Sequence, residues 1–168
     1  NVVWQDGKVE MMHGVDSAGY EIITCKDNGV GMDEKIITSF LCNVGRSFYR
    51  SPEFEQQRME FRKKHCDFDP CSQFGIGFMS CFMLGDRIRI ETRRDYGAGK
   101  EYGTPVIVEI NGLNSLLVIK EGRHDQLVGT TVTVISRRKP SFIDKWKDKV
   151  LLTTVLKGYA LATEFPIF

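Results

Sequence analysis

The sequence predicts an α/β protein of the α+β, two-layer sandwich kind: a mostly antiparallel, twisted sheet with helices on one face. Three observations predict it. From Asp86 onward, four strand-like runs are separated by turn-rich stretches, and the first alternates apolar and charged residues in steps of two. Near the start, two further strand-like runs flank a loop with glycine at each end. Between these blocks, residues 33–45 and 51–64 carry apolar residues at helical spacing.

Bulk properties narrow the class. At 168 residues the chain is one domain large enough to build its own core. Its apolar share of 42% and charged share of 27% are those of a soluble globular protein. A net charge of +1 makes no electrostatic case for a nucleic-acid or membrane partner. No apolar run approaches the ~20 residues of a membrane helix. The five cysteines (Cys25, Cys42, Cys66, Cys71 and Cys81) are odd in number and scattered, which suits reduced thiols in a cytoplasmic protein better than a disulfide framework. His65, Cys66 and Cys71 lie close together, but without a C-x-x-C pair or a second cluster no metal site is expected. The chain opens at Asn1 with neither an initiator methionine nor a signal-peptide pattern, so it is expected to be an excised piece of a longer protein.

Taken in order, Val9–Met12 and Tyr20–Cys25 read as a hairpin around Gly14–Gly19. In the second strand Tyr20, Ile22 and Thr24 face one way, and Glu21, Ile23 and Cys25 the other. Asp33 is a candidate N-cap for a helix carrying Ile36, Ile37, Phe40 and Leu41, which Gly45 stops. Ser51-Pro52-Glu53 is a helix start: a cap, a first-turn proline and an acid favoured by the dipole. Phe54, Arg58 and Phe61 share one face of that helix. Residues 46–72 as a whole are either a surface excursion or a mobile cover over a ligand.

Gln73–Phe78 opens an apolar helix expected to run through Met79, Phe82, Met83 and Leu84 to Gly85. Strands follow over Asp86–Arg93, Pro105–Asn111, Ser115–Lys120 and Gly129–Ser136, with turns at 95–99 and 111–114. Arg87 and Arg89 on the first of these strands read as a solvated sheet face. Ser141 and Asp144 start a helix to Lys157, and 164–168 looks like the entry to a further strand.

Two stretches carry candidate chemistry. Asp27-Asn28-Gly29-Val30-Gly31-Met32 puts a carboxylate at a strand end, followed by two glycines and a methionine. These are parts of a purine pocket: an acceptor for an exocyclic amine, close backbone access and a soft apolar wall. Alone they are equally a strand-to-helix turn. The second stretch, around Gly75-Ile76-Gly77, places glycines at a helix start, where free N–H groups and the dipole favour an anion. Alone it is a weak signal, and a tightly packed helix that needs small residues is the commoner reading.

Together, Asp27–Met32, Gln73–Phe78 and Gly129-Thr130-Thr131-Val132 resemble the nucleotide-binding boxes of the GHKL superfamily: gyrase, Hsp90, histidine kinases and MutL. Ser72-Gln73-Phe74-Gly75-Ile76-Gly77-Phe78-Met79-Ser80-Cys81-Phe82 and Asn43-Val44-Gly45-Arg46-Ser47 are similar to the Hsp90 branch. The resemblance runs from about Val9 to the end and implies a Bergerat-type fold that binds ATP or ADP. By the same resemblance, Asp27 accepts from the adenine amino group, with Thr130 supporting it through water. Gly29 belongs to the same box, Gly31 lets the base pack on backbone, and Met32 walls it. Asn43 lies beside the sugar and phosphates. Gln73, Phe74, Gly75, Ile76, Gly77 and Phe78 form the phosphate side, mainly through main-chain amides, and residues 46–72 are the lid.

The departures matter as much. The family's helix bearing a water-activating glutamate and a magnesium-holding asparagine, spaced E-x-x-x-N, is found nowhere in the chain. The piece is therefore expected to lack catalytic residues and to hydrolyse ATP negligibly. The longer protein is expected to be an Hsp90-like ATPase and chaperone using Mg²⁺, acting on client proteins as a homodimer. The alternative is a MORC-like module in which nucleotide gates dimerisation with slow or no hydrolysis.

Overall fold

The strand patterns pair into one six-stranded sheet in the order β1-β2-β6-β3-β4-β5. The strands are β1 (Val9–Val15), β2 (Glu21–Asp27), β3 (Arg87–Arg93), β4 (Val106–Ile110), β5 (Leu117–Glu121) and β6 (Gly129–Ser136), and every neighbouring pair is antiparallel. With its few helices this is an α+β fold. The computed structural model describes residues 7–63, 65, 70, 76–97, 99–112, 115–136, 158 and 167. The expected helix over 141–157 lies outside the described residues. So does the expected terminal strand, except that Ile167 makes a parallel bridge to Val9. The chain divides into two compact units, one of Asn1–Asp33 with Phe82–Phe168 and one of Glu34–Cys81.

In the sheet unit, period-two alternation decides which face is dry. Ile88, Ile90 and Thr92 of β3 are buried, as are Val106, Val108 and Ile110 of β4 opposite them and Val134 of β6. The other face of β3 carries Arg87, Arg89, Glu91 and Arg93. Arg89 pairs with Glu91 at 3.1 Å and Glu109 at 2.9 Å, and Glu109 pairs with Lys120 at 2.6 Å. Arg87 lies over the Tyr20 ring at 4.6 Å. Arg89 is held by its own neighbours on the sheet, as a solvated face requires, whereas Arg87 Nε and Nη2 are buried with no hydrogen-bond partner among the described residues.

The first hairpin is tighter than the sequence suggests. The Asp16 carboxylate accepts from the amides of Ala18 at 2.9 Å and Tyr20 at 2.8 Å, closing the turn within 16–20. Gly14 and Val15 are thereby left inside β1, paired with Ile22 and Glu21.

In the second unit, α1 (Glu34–Ile36) widens into a π-turn over Ile37–Leu41, and the Cys42 amide reaches back to the Ile37 carbonyl at 3.1 Å. Side chains explain the widening: Thr38 Oγ1 donates to the Glu34 carbonyl at 2.8 Å, and Asn43 Nδ2 donates to the Thr38 carbonyl at 2.7 Å. Gly45 at φ 82° then turns the chain away. Helix α2 (Pro52–Lys63) begins as the sequence indicates: Ser51 Oγ accepts the Phe54 amide at 3.1 Å. Ser51→Ala is expected to cost ~1 kcal/mol of stability, read as a lowered midpoint in urea unfolding. Buried Phe54 meets Tyr49 edge-on at 5.0 Å and Phe48 at 5.7 Å, and Phe48 meets Phe40 at 5.5 Å. This aromatic cluster ties α2 to the π-turn and to the 3-10 turn Phe48–Arg50.

The apolar helix expected up to Gly85 is shorter and wetter than its composition implies. It is a 3-10 turn over Gly77–Ser80 followed by α3 (Cys81–Leu84), and Met83 is 88% exposed. Ser80 Oγ donates to the Gly77 carbonyl at 2.6 Å, which favours the tighter winding.

Candidate functional site

Pairing register builds the site. Asp27 is the last residue of β2 and pairs with Thr130 of β6, which pairs in turn with Thr92 of β3. Directly paired residues project to the same side of a sheet. Asp27, Thr130 and Thr92 therefore form a row on the dry face, one step beyond Cys25, Val132 and Ile90. The apolar face thus ends in one carboxylate and two hydroxyls.

The loop after Asp27 is pinned residue by residue. The Gly29 amide donates to Asp27 Oδ1 at 2.9 Å. Asn28 Oδ1 accepts the Lys8 amide at 2.7 Å. The Val30 carbonyl accepts from the Asp95 amide at 2.9 Å, and the Gly31 carbonyl from buried Arg94 at 2.7 Å. The Met32 amide donates to Thr92 Oγ1 at 2.8 Å. Gly31 sits at φ 62°, and a Cβ there would overlap the Arg93 carbonyl and stand 3.0 Å from the Gly129 carbonyl. Gly129 is locked in return, because a Cβ on it would overlap the Asp27 carbonyl. The two glycines let three backbone segments close together at this end of the sheet.

Burial raises the Asp27 pKa above its ordinary value, and the backbone amides of Gly29 and Thr130 partly oppose the shift. The sign follows from proton linkage. Between the unfolded and the raised folded pKa the native state binds more protons than the unfolded chain, so this group's contribution to stability falls as pH rises. Above the raised pKa the ionised carboxylate is therefore a cost to the fold, and the cost is relieved on acidification through that pKa.

The structure brings together Asp27, Gly29, Gly31, Met32 and Thr130, all in the sheet unit. Asn43, Ile76, Gly77 and Phe78 belong to the other unit. The exposed Asn43 side chain bonds the Thr38 carbonyl at 2.7 Å. Ile76 is 57% exposed, and a Cβ on Gly77 would meet nothing within 4 Å. Gln73, Phe74 and Gly75 lie outside the described residues. Sequence reasoning missed Thr92 and Arg94, which hold Met32 and Gly31. Thr92 did leave a signal, as the hydroxyl-bearing residue in the Ile88-Ile90-Thr92 row.

No family model matches the chain. Over most of its length it is similar to curated bacterial proteins named chaperone protein HtpG. Identity is 28% to that of Magnetococcus marinus, over 84% of this chain and 20% of the relative. It is 30% to that of Cupriavidus necator, over 86% and 22%, and 25% to that of Geobacter metallireducens, over 96% and 23%. The chain spans about a fifth of the length of these relatives. The likeness is thus to one segment of HtpG, an Hsp90-family chaperone, and it supports an Hsp90-like protein.

Proposed function

We propose that the chain is the ATP-binding domain of an Hsp90-like chaperone, with Asp27 as the acceptor for the adenine amino group. The observation that carries this reading is the half-buried Asp27 carboxylate, which accepts the Gly29 amide at 2.9 Å at the end of the Asp27–Thr130–Thr92 row. An amine that donates to a carboxylate is the chemistry of a 6-aminopurine edge. Thr130 supports the same edge, Met32 walls the ring, and Gln73–Phe78 with Asn43 take the sugar and phosphates. Residues 46–72 act as the lid.

The longer protein we infer is a cytoplasmic homodimer whose ATP cycle switches its grip on client proteins. Magnesium is assigned to that longer protein, whose magnesium-holding asparagine the resemblance places on the E-x-x-x-N helix. With no E-x-x-x-N pattern in these 168 residues, the chain itself is expected to hydrolyse ATP negligibly and to bind adenine nucleotide at best weakly.

Asp27→Asn tests the assignment. It removes a charge-assisted hydrogen bond, so ADP affinity is expected to fall by about 1.5–3 kcal/mol, roughly 10- to 150-fold. Calorimetric titration measures it. In the unsubstituted chain, affinity is expected to fall on acidification through the raised Asp27 pKa, because protonation removes the charge that strengthens the hydrogen bond. At neutral pH the same substitution should hold or raise the thermal midpoint, since it relieves a desolvated charge. Unchanged ADP affinity would overturn the pocket.

A further inference from the structure

Each residue of the loop from Val30 to Asp33 has a partner on the end of β3 or the segment that continues it. The Val30 carbonyl accepts the Asp95 amide at 2.9 Å, and the Gly31 carbonyl accepts from Arg94 Nη1 at 2.7 Å. The Met32 amide donates to Thr92 Oγ1 at 2.8 Å, and Asp33 Oδ2 accepts from the Tyr96 hydroxyl at 3.2 Å. Two of these bonds act on one peptide group. The Gly31–Met32 peptide is trans, so its C=O and N–H point opposite ways, and Arg94 grips it from one side while Thr92 grips it from the other. Thr92 belongs to the sheet and is fully buried. Arg94 lies beyond the last strand residue and is still only 6% exposed. A guanidinium withdrawn from water makes a short, directional, charge-assisted bond to that carbonyl.

The neighbouring arginine does a different job. Arg93 donates from Nε to the Gly103 carbonyl at 3.0 Å and from Nη1 to the carbonyls of His124 at 3.1 Å and Gln126 at 3.0 Å. Arg93 thus fastens the end of β3 to the loops at 103 and 124–126, and Arg94 fastens the Asp27–Met32 loop to that anchored segment. We propose that Arg94 is a positioning residue for the nucleotide: it sets the Gly31–Met32 peptide, and with it the placing of Met32 relative to Asp27, without touching the ligand. The proposal rests on the adenine reading of the same site. A loop gripped in advance does not have to be ordered by the ligand, so the bond from Arg94 appears as affinity. No periodicity or motif marks the residue, because its partner lies across the sheet end rather than along the chain.

The test titrates the 168-residue chain with ADP by NMR, following the amides of Gly29, Gly31 and Met32. Arg94→Met keeps the apolar stem and loses the donor, and ADP affinity is expected to fall ~10-fold. Arg94→Lys keeps a charged donor and should recover part of the loss, to within ~3-fold of the unsubstituted chain. Arg93→Met is the control, since it removes three bonds from the adjacent residue but none from Gly31. Its affinity should stay within ~2-fold even where its thermal midpoint falls as far as that of Arg94→Met. Equal losses of affinity in the two methionine variants, or no recovery in Arg94→Lys, would mean a general loosening and overturn the proposal. The unsubstituted chain gives a reading that needs no variant to fold: ADP should slow exchange of the Arg94 guanidinium protons at least ~3-fold while leaving those of Arg93 unchanged. Unslowed Arg94 protons, or unchanged ADP affinity in Arg94→Met, overturn the positioning role and leave the adenine site standing. No ADP-dependent shift at Gly29, Gly31 or Met32 in the unsubstituted chain removes both.

Discussion

Gly31→Ala is expected to lose ~3–5 kcal/mol of folding stability, the largest effect of any single substitution at the site. Two penalties combine. The residue sits at φ 62°, where an L side chain is strained by ~1–2 kcal/mol. The added methyl would also overlap the Arg93 carbonyl, and that atom belongs to the strand-end backbone rather than to a flexible side chain. Gly19→Ala separates the two, because Gly19 has φ 83° but nothing within 4 Å of its would-be Cβ. Urea unfolding of both variants should show Gly19→Ala losing only the conformational part. Equal losses would mean that the Arg93 backbone yields, and that the close approach at Gly31 is not rigid.

Phe54→Ala should cost ~3–5 kcal/mol, expressed in the unit built from Glu34–Cys81. Phe54 is 3% exposed and is the residue through which α2 contacts both Phe48 and Tyr49. With the ring gone, α2 keeps its Ser51 cap and its Lys35–Glu53 pair at 2.8 Å, which is exposed and stabilises little. Amide hydrogen exchange across Glu55–Lys63 should therefore accelerate strongly. Unaltered exchange there would show that the aromatic cluster is not what holds the helix. Under the proposed function the same residues form the lid, so the substitution would also test how far nucleotide affinity depends on an ordered α2.

Local patterns were legible in the sequence wherever the cause is local. The alternation Ile88, Ile90, Thr92 gave the strand and its dry face, and Ser51-Pro52-Glu53 gave the helix start, because each depends on neighbours a few residues away. Asp27 was legible as a strand end for the same reason. The π-turn at Ile37–Leu41 was not, since apolar spacing cannot distinguish it from an α-turn; the side chains of Thr38 and Asn43 decide it. The row Asp27–Thr130–Thr92 was half legible. Asp27 and Thr130 stood out through a motif resemblance, but the third member depends on β6 lying between β2 and β3. No periodicity within any one strand carries that information. Arg94 was missed because its partner, the Gly31 carbonyl, is 63 residues away in sequence.

The placement of β6 also sets an order of events. Hairpin β1-β2 and the meander β3-β4-β5 can each form from short-range contacts, but Asp27 meets Thr130, and Thr92 meets Gly129, only once β6 has slotted between them. Such long-range insertion is the slow part of assembling a sheet. The Asp27–Thr130–Thr92 row therefore exists only once β6 is in place: the strand that joins the two parts of the sheet is the strand that completes the row. A ligand held there would stabilise the finished sheet without rewarding any intermediate, so occupancy of the Asp27 end would report that folding is complete.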